Sequence, residues 1–378
     1  MTTVIHSVRL VDDGRITDDA WVSFADGVVT ARGIGGQWRE VTAADAIDGA
    51  GAWLTPGFID LHGHGGGGAA FDDGIDAIRT ARDVHRAHGT TRAVLSLVTA
   101  SVDDLVPRVA AIAAASDADA TILGSHLEGP FLDPAHKGAH TESLLRPPDR
   151  ESVARLLDAG RGTVRQVTLA PELAGGIDAI SQFVEAGVVA AVGHTSATAE
   201  VAAAAFDAGA TLLTHAFNAM PGIHHREPGP IVAAMRDERV TLELIADGIH
   251  VHPDVIALAF AGAPGRIALI TDAMAAAGAP EGRYELGGLA VTVVGGTARL
   301  DSNGAIAGST LTQDAALRMA VSSGVDLTTA VASLTSVPAR VLGEQSRYGS
   351  LRVGSAADAV LLDGDLRVRT VWVDGRRS

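Results

Sequence analysis

Two histidines separated by one residue follow a short apolar run and precede four glycines in the segment IDLHGHGGGG (59–68). Along a β-strand, residues i and i+2 point to the same side, so His62 and His64 can direct both imidazoles to one point. The glycines 65–68 would let the chain turn sharply and keep the space above the pair open. This pattern indicates two metal ligands, although by itself it also fits two polar residues in a glycine-rich loop.

Three further residues suited to metal binding close other apolar runs. They are Glu128 in GSHLEGP, His194 in AVGHTSA and His215 in LLTHAFN. A buried carboxylate is costly unless it is paired or coordinated, whereas a single histidine at a strand end is ordinarily a polar residue at the rim. Taken together with the His-x-His pair, the three residues predict a catalytic divalent metal site, which needs His and carboxylate ligands and an open position for water.

Asp272 closes the run LITDAM and has three readings. It can be a metal ligand, or it can be the general base that takes a proton from metal-activated water and returns it to a leaving amine. The structural alternative is a helix N-cap, because Asp followed by Ala-Met-Ala can begin a turn.

The elements that must position these residues alternate between strand and helix. Alanine-rich stretches with helical spacing, several of them ending in glycine, separate most of eight apolar, β-rich runs. The runs cover 56–62, 91–99, 120–128, 164–170, 188–194, 211–217, 241–247 and 266–272. This alternation predicts a parallel sheet of α/β class and, with eight units, a (β/α)8 TIM-like barrel. In such a barrel the carboxyl ends of the strands meet at one mouth, which would bring the scattered residues together.

The two ends of the chain share a different character. Both carry period-two patterning with Asp-Gly turns, which predicts a small β-sandwich domain built from residues 1–54 and 345–378. The barrel would then occupy residues 55–344. Within it, residues 282–303 are typical of a β-hairpin insertion without an assigned role.

Composition excludes several classes of function. The 378 residues carry a formal net charge of −16, which disfavours nucleic acid as a partner. There is no cysteine, so thiolate metal sites and disulfides are excluded. The sequence contains neither a signal-peptide pattern nor an apolar run long enough to span a bilayer, so we expect a cytoplasmic protein without a membrane partner.

Seven segments, in this order along the chain, carry a resemblance to a known family: LTPGFIDLHGHGGGG, HLEGPFLDPAHKGAH, GHTSA, THAFNAMPGIHHREPG, ADGIHV, TDAMAAAG and IAGSTLT. On these segments the chain resembles the amidohydrolase superfamily and, within it, the N-acetylglucosamine-6-phosphate deacetylases. The segments span essentially the whole barrel, and the NAMP…REPG segment is specific to the deacetylases.

The resemblance implies a set of metal ligands. Glu128, His194 and His215 match the core ligands of the family, while His62 and His64 match positions that bind a second metal in some members only. We therefore expect one or two divalent ions, with zinc favoured and iron, manganese or cobalt as alternatives. Lys137, the one lysine, lies in a loop. This disfavours branches that bridge two metals with a carboxylated strand-end lysine, and Glu128 would take that place.

The resemblance also implies catalytic and substrate-binding residues. Asp272 matches the catalytic acid/base and also a metal ligand, and His140 matches a histidine that polarises the acetamido carbonyl. Arg226 matches the phosphate ligand, a role suited to its planar fork of donors, with a surface ion pair to Glu227 or Glu238 as the alternative. The substrate contacts implied in this way are Ala139, His140, Asn218, Ala219, Arg226, His250, Ile306, Ala307 and Gly308.

The implied reaction is hydrolysis of the acetamido group of N-acetyl-D-glucosamine 6-phosphate by metal-activated hydroxide, giving D-glucosamine 6-phosphate and acetate. Such an enzyme would serve amino-sugar catabolism or cell-wall recycling, with the phosphorylated amino sugar as its partner, and would be a homodimer. Two alternatives stay open: another amide hydrolase of the superfamily, and a barrel that binds without catalysing.

Overall fold

A computed structural model describes residues 2–378 of the chain. The first strands are β1 (Thr3–Asp12), β2 (Arg15–Ala25), β3 (Val28–Ile34), β4 (Asp45–Asp48) and β5 (Trp53–Pro56). They are followed by β6 (Phe58–Asp60), β7 (Gly65–Gly66), β8 (Ala69–Ala70), β9 (Thr90–Val98), β10 (Ile122–Glu128), β11 (Val164–Leu169), β12 (Val189–Val192), β13 (Leu212–Leu213), β14 (Thr241–Ile245) and β15 (Ile267–Ile270). The last are β16 (Gly282–Leu286), β17 (Leu289–Val294), β18 (Thr297–Leu300), β19 (Ala359–Leu362), β20 (Val368–Val373) and β21 (Arg376–Arg377).

The α-helices follow most of the central strands. They are α1 (Ile75–Ala87), α2 (Val102–Ala118), α3 (Arg150–Gly160), α4 (Gly176–Glu185), α5 (Ala199–Asp207), α6 (Gly229–Arg236), α7 (Pro253–Gly262), α8 (Gln313–Ser322), α9 (Leu327–Leu334) and α10 (Ser336–Val341). Several begin at a residue whose side-chain oxygen accepts a hydrogen bond from a backbone amide of the first turn, such as Ser101 before α2 and Asp149 before α3.

The predicted parallel barrel is confirmed. Eight parallel strands run in the order β6-β9-β10-β11-β12-β13-β14-β15, and each lies within or overlaps one of the eight apolar runs. All nine residues of β9 are buried, as expected for a parallel strand that packs on both faces. Between the first and last strands, the Asp60 carboxylate accepts hydrogen bonds from the Thr271 hydroxyl at 2.6 Å and the Thr271 amide at 3.3 Å.

The predicted β module from both chain ends is also confirmed. Its strands connect in the order β21-β20-β19-β5-β1-β2-β3, with β4 paired to β1, and they enclose a separate apolar core that includes Phe24, Leu54 and Trp372. The Asp-Gly turn at Asp13 has positive φ at both residues, which is the geometry of a tight hairpin. The sheet reaches Pro56, and the proposed domain limits at 54/55 and 344/345 stay a prediction.

The segment 282–303 forms a three-stranded antiparallel sheet, β16-β17-β18, rather than a two-stranded hairpin. Its apolar face packs with Val98, Met274 and Ala307 in a small core of its own. The third strand forms because buried residues alternate on β17 and β18, so one shared face is covered.

None of the helices in the described part of the chain has both the length and the apolar character needed to cross a bilayer.

Candidate metal centre

The predicted ligands lie just beyond the carboxyl ends of the barrel strands. His62, His194, His215 and Asp272 each follow the last residue of their strand by two positions (β6, β12, β13 and β15), whereas Glu128 is the last residue of β10. The sequence predicted all five at or near the carboxyl ends of the strands, which is correct for Glu128, and the other four strands end two residues earlier than the ligands. For β6 the earlier end has a local cause, because the Asp60 carboxylate accepts a hydrogen bond from the His62 amide and turns the chain.

Three of these residues have a left-handed backbone. The φ angle is 46° at His194, 26° at His215 and 48° at Asp272. Residues with a Cβ rarely adopt this conformation, and it costs of order 1–3 kcal/mol where it occurs. The surrounding structure therefore keeps three strained residues at one mouth of the barrel, which is typical of functional sites.

Glu128, His194 and His215 form a three-residue cluster. The Glu128 Oε1 atom lies 3.1 Å from Nε2 of each histidine, and the two Nε2 atoms are 3.0 Å apart. The His194 Nδ1 atom lies 2.8 Å from the His136 carbonyl oxygen, which can only accept, so Nδ1 carries the proton and Nε2 presents its lone pair to the cluster.

His62, His64, Glu128 and Asp272 form a four-residue cluster that shares Glu128 with the first. The His64 Nε2 atom lies 3.1 Å from Glu128 Oε2 and 3.3 Å from Asp272 Oδ1. The His62 Nε2 atom lies 3.3 Å from Glu128 Oε1 and 3.6 Å from Asp272 Oδ1. In both clusters the possible ligand atoms all lie within 4.8 Å of one another and the residues are buried.

The donor chemistry of both clusters fits a divalent metal. Imidazole nitrogens converge on each other at 3.0 Å between His194 and His215 and at 3.3 Å between His62 and His64. Converging lone pairs repel unless a proton or a cation lies between them. Imidazole and carboxylate are the ligands preferred by zinc, iron, manganese and cobalt.

Charge pairing shifts the pKa values of these groups in opposite directions. Burial lowers the pKa of His64, but Asp272 and Glu128 outweigh it and raise the pKa to about 9. Burial likewise disfavours charge on His62, whose pKa Glu128 and Asp272 still raise well above its ordinary value. Burial raises the pKa of Asp272, yet His62 and His64 lower it to about 2. Protons on these histidines thus take the place that a cation would otherwise fill.

A cavity of about 140 Å³ opens over the clusters. Seven of the nine predicted substrate contacts line it: Ala139, His140, Asn218, Ala219, His250, Ile306 and Gly308. A wider cleft of about 1160 Å³ borders the terminal sheet and is lined by residues such as Arg347 and Trp372, away from the histidines. Because the clustered histidines and carboxylates line the smaller cavity, it is the candidate substrate site.

The other two predicted contacts lie elsewhere. Ala307 is fully buried and packs with the core of the three-stranded sheet. Arg226 lies on an exposed loop, residues 222–227, with its Nη1 atom 2.8 Å from His225 Nε2. Within residues 2–378 its guanidinium forms no ion pair with a carboxylate, so the alternative pairing with Glu227 or Glu238 is not observed. The role of Arg226 stays a prediction.

A family model described as "Amidohydrolase family" matches residues 53–377. The chain belongs to the amidohydrolase family. It is 40% identical to the N-acetylgalactosamine-6-phosphate deacetylase of Escherichia coli O157:H7, over 100% of this chain and 99% of that protein. It is 36% identical to the N-acetylglucosamine-6-phosphate deacetylase of Bacillus subtilis, over 97% and 94% of the two chains.

Solved structures give the same family. The chain matches the N-acetyl-D-glucosamine-6-phosphate deacetylase of Mycobacterium smegmatis with a TM-score of 0.94 and 43% identity, over 100% of this chain and 98% of that one. That structure is of an Asp-to-Ala variant in complex with N-acetyl-D-glucosamine-6-phosphate. The N-acetylglucosamine-6-phosphate deacetylase of Pasteurella multocida matches with a TM-score of 0.95 and 27% identity, over the full length of both chains. Membership of the amidohydrolase family implies a divalent metal, and the two clusters are where this amidohydrolase could bind it.

The pKa values of two histidines in the cavity are shifted in opposite directions. Burial lowers the pKa of His140 to about 4, so its imidazole is neutral at neutral pH. Burial also disfavours charge on His250, but the Asp247 carboxylate, 2.6 Å from its Nδ1 atom, raises its pKa above the ordinary value. The amidohydrolase thus presents one neutral and one more basic imidazole to a ligand in the cavity.

Asp272 does not cap a helix, because it is followed by a bridge residue and a turn. The glycine run turns the chain sharply, as expected, with positive φ at Gly67 and Gly68. It forms a tight hairpin of β7 and β8, with the amides of Gly67 and Gly68 donating to the carbonyls of Ala277 and Ala275. A Cβ at Gly65 would lie 2.3 Å from the Ala69 carbonyl oxygen, so this position requires glycine because of the close approach rather than to leave open space.

Several residues near the site were missed from the sequence. Glu243 and Asp60 are buried carboxylates that contact the His62 region, and Val98 and Leu286 line the cavity. A single Glu in the otherwise apolar run TLELIAD was the available signal for Glu243. No sequence signal marks Leu286, because the fold of the three-stranded sheet alone places it over the cavity.

Proposed function

We propose that the chain hydrolyses the acetamido group of N-acetyl-D-glucosamine 6-phosphate to D-glucosamine 6-phosphate and acetate. The observation that carries the proposal is the sharing of Glu128 by two buried ligand clusters directly beneath a cavity lined by the residues expected to hold the sugar. The choice of substrate is supported by relatives at 36%, 40% and 43% identity that are deacetylases of N-acetylhexosamine 6-phosphates.

We infer that the site binds one or two divalent cations, with zinc favoured. Glu128, His194 and His215 would hold one ion, and His62, His64, Glu128 and Asp272 would hold the second. A divalent cation at such a site lowers the pKa of bound water to about 7 and polarises a carbonyl oxygen.

Asp272 is the proposed proton carrier. With a pKa of about 2 its carboxylate is ionised at neutral pH, so it can accept a proton from water and later deliver it to the leaving amine. Its Oδ1 atom lies 3.3 Å from His64 Nε2 and the residue lines the cavity, which supports a role between the proposed metal ligands and the substrate.

His140 is the proposed donor to the acetamido oxygen. Its pKa of about 4 keeps it neutral, so one ring nitrogen carries a proton. Its Nε2 atom lies 3.5 Å from Glu128 Oε2, and both residues line the cavity. A neutral donor in a water-poor site stabilises charge that develops on oxygen during attack.

Arg226 is the proposed phosphate ligand, with His250 as a further substrate contact. A guanidinium without a carboxylate partner can form two parallel hydrogen bonds to a phosphate. The elevated pKa of His250 also favours an anionic group near it.

We further infer that the protein is a homodimer and serves amino-sugar catabolism. The cytoplasmic location stays a prediction.

The galacto epimer is a second candidate substrate. The Escherichia coli O157:H7 relative, 40% identical over the full chain, is an N-acetylgalactosamine-6-phosphate deacetylase. The two sugars differ in the orientation of one hydroxyl, and a pocket that hydrogen-bonds a hydroxyl can discriminate strongly against the wrong isomer.

Acetate release from both 6-phosphates and from unphosphorylated N-acetylglucosamine, with metal-loaded and chelated protein, tests the proposal. We expect turnover of N-acetylglucosamine 6-phosphate that chelation abolishes and metal restores. A higher kcat/KM for the galacto epimer would transfer the proposal to that sugar. Equal turnover of the unphosphorylated sugar would show that the site does not recognise the phosphate. If metal-loaded protein turns over none of the three sugars, the deacetylase assignment is wrong.

A further inference from the structure

Glu243 lies within β14 with its carboxylate fully buried inside the barrel. Burying a carboxylate costs several kcal/mol unless hydrogen bonds satisfy it. The contacts of Glu243 therefore indicate the structural role of its carboxylate.

The two oxygens of Glu243 contact three groups. Oε1 accepts a hydrogen bond from the Gln166 amide at 2.8 Å. Oε2 lies 3.2 Å from the His62 Nδ1 atom and 3.4 Å from the His215 backbone nitrogen. One oxygen thus contacts a side chain of the four-residue cluster and the backbone of the three-residue cluster.

The contact with His62 decides which nitrogen of that ring faces the cluster. In this contact His62 Nδ1 donates its proton to the Glu243 Oε2 atom, 3.2 Å away. The Nε2 atom is then the nitrogen that faces the cluster, 3.3 Å from Glu128 Oε1 and 3.3 Å from His64 Nε2, and it could bind a cation in place of its proton. In the same cluster His64 has no such support, because its Nδ1 atom is buried without a hydrogen-bond partner in the described chain.

We propose that Glu243 is a positioning residue for His62 and thereby sets the metal affinity of the four-residue cluster. Carboxylates that accept from a ligating histidine hold its orientation and raise its basicity, and their loss typically lowers metal affinity or activity by about 10–100-fold. The inference rests on the metal part of the proposed function and is independent of the identity of the sugar.

The variant Glu243→Gln removes the negative charge that raises the basicity of His62 and keeps the size of the side chain. It keeps the shape and replaces one oxygen by an NH2 group. Gln166 can accommodate this, because its own Oε1 atom is buried without a partner among residues 2–378 and can accept from the new amide once the Gln166 amide rotates. We therefore expect the chelated variant to fold, with a lower unfolding temperature than the chelated wild type because the buried charge of Glu243 no longer pairs with His62.

The experiment titrates chelated protein with zinc against a chromophoric chelator. We expect two equivalents in the wild type and, in Glu243→Gln, a dissociation constant raised about 10–100-fold for one equivalent and little changed for the other. The variant His62→Asn serves as the reference for complete loss of one equivalent of zinc. Thr168→Val is the matched control, since Thr168 is buried in the same interior and contacts His126 and Thr214 instead of a proposed ligand.

Three results would overturn the inference. Glu243→Gln could bind both equivalents of zinc with wild-type affinity, or it could lose affinity equally for both. Thr168→Val could also show the same loss of zinc affinity as Glu243→Gln. A wild type that binds a single equivalent would also overturn it. Because no sugar is present, each of these outcomes is distinct from a failure of the deacetylase assignment, which the acetate assay alone decides.

Discussion

The backbone amide of Asp272 donates a 2.8 Å hydrogen bond to the carbonyl oxygen of His62. This bond joins the segment after the last barrel strand to the segment after the first. It closes the barrel at its mouth and sets the proposed proton carrier beside a proposed metal ligand. The next amides continue the contact, since His64 N donates to the Ala273 carbonyl at 2.7 Å.

Asp272→Asn should retain the fold and lose most of its activity. The amide keeps the size of the side chain but cannot accept and return a proton, and general acid–base groups contribute about 10²–10⁴-fold to rate. kcat for acetate release, measured on variant protein of wild-type thermal stability, checks this. If Asp272→Asn turns over the substrate at a rate close to wild type, Asp272 is not the proton carrier.

Glu128→Gln should weaken metal binding in both clusters, because Glu128 is the residue that they share. His194→Asn should weaken the three-residue cluster and leave the four-residue cluster bound. Elemental analysis after gentle purification compares the metal content of the two variants. If Glu128→Gln retains the wild-type metal content, the shared-ligand arrangement is wrong.

The chelated protein should lose stability as the pH rises. Folding raises the pKa of His64 from 6.5 to about 9, so its contribution is complete below about pH 6.5 and disappears as the pH approaches 9. The free energy of unfolding of chelated protein, followed by denaturant between pH 6 and about 9.5, should fall over this range. His64→Gln should reduce the dependence of the free energy of unfolding on pH. A stability that rises with pH would contradict the pairing of His64 with Asp272 and Glu128.

Arg226→Ala should raise KM for the phosphorylated sugar and leave any turnover of the unphosphorylated sugar unchanged. A hydrogen bond to a charged group is worth about 1.5–3 kcal/mol, which corresponds to roughly 10–150-fold in kcat/KM. Arg150→Ala, at an exposed arginine that does not line the cavity, is the control. Identical kinetics for both variants would place the phosphate elsewhere.

Asp358→Ala should destabilise the protein without changing its metal content. Asp358 holds the buried Arg92 of β9 by two hydrogen bonds, at 2.7 Å and 3.0 Å, and so links the barrel to the terminal sheet. Removing one partner of a buried ion pair costs about 3–5 kcal/mol, and the second partner of Arg92, Asp374, should keep the loss at the lower end of this range. The denaturant midpoint measures this change, and Asp365→Ala, at an exposed aspartate of the same segment, should leave the midpoint in place.

The sequence by itself determined the strand and helix alternation and the ligand types. Hydrophobic runs separated by alanine-rich stretches are local features, and they identified all eight barrel strands. The residue types of Glu128, His194 and His215 at the ends of such runs indicated metal chemistry before any distance was known. These inferences hold because side-chain periodicity and ligand chemistry act over a few neighbouring residues.

Only the tertiary structure decided which groups meet and how each is oriented. Glu243 lies 181 residues from His62, and nothing in its local run shows that its carboxylate faces that imidazole. Likewise, the left-handed turns at His194 and Asp272 and the place of Leu286 over the cavity follow from barrel closure and from packing of the three-stranded sheet. These features depend on contacts between distant segments, which a local pattern of residues does not encode.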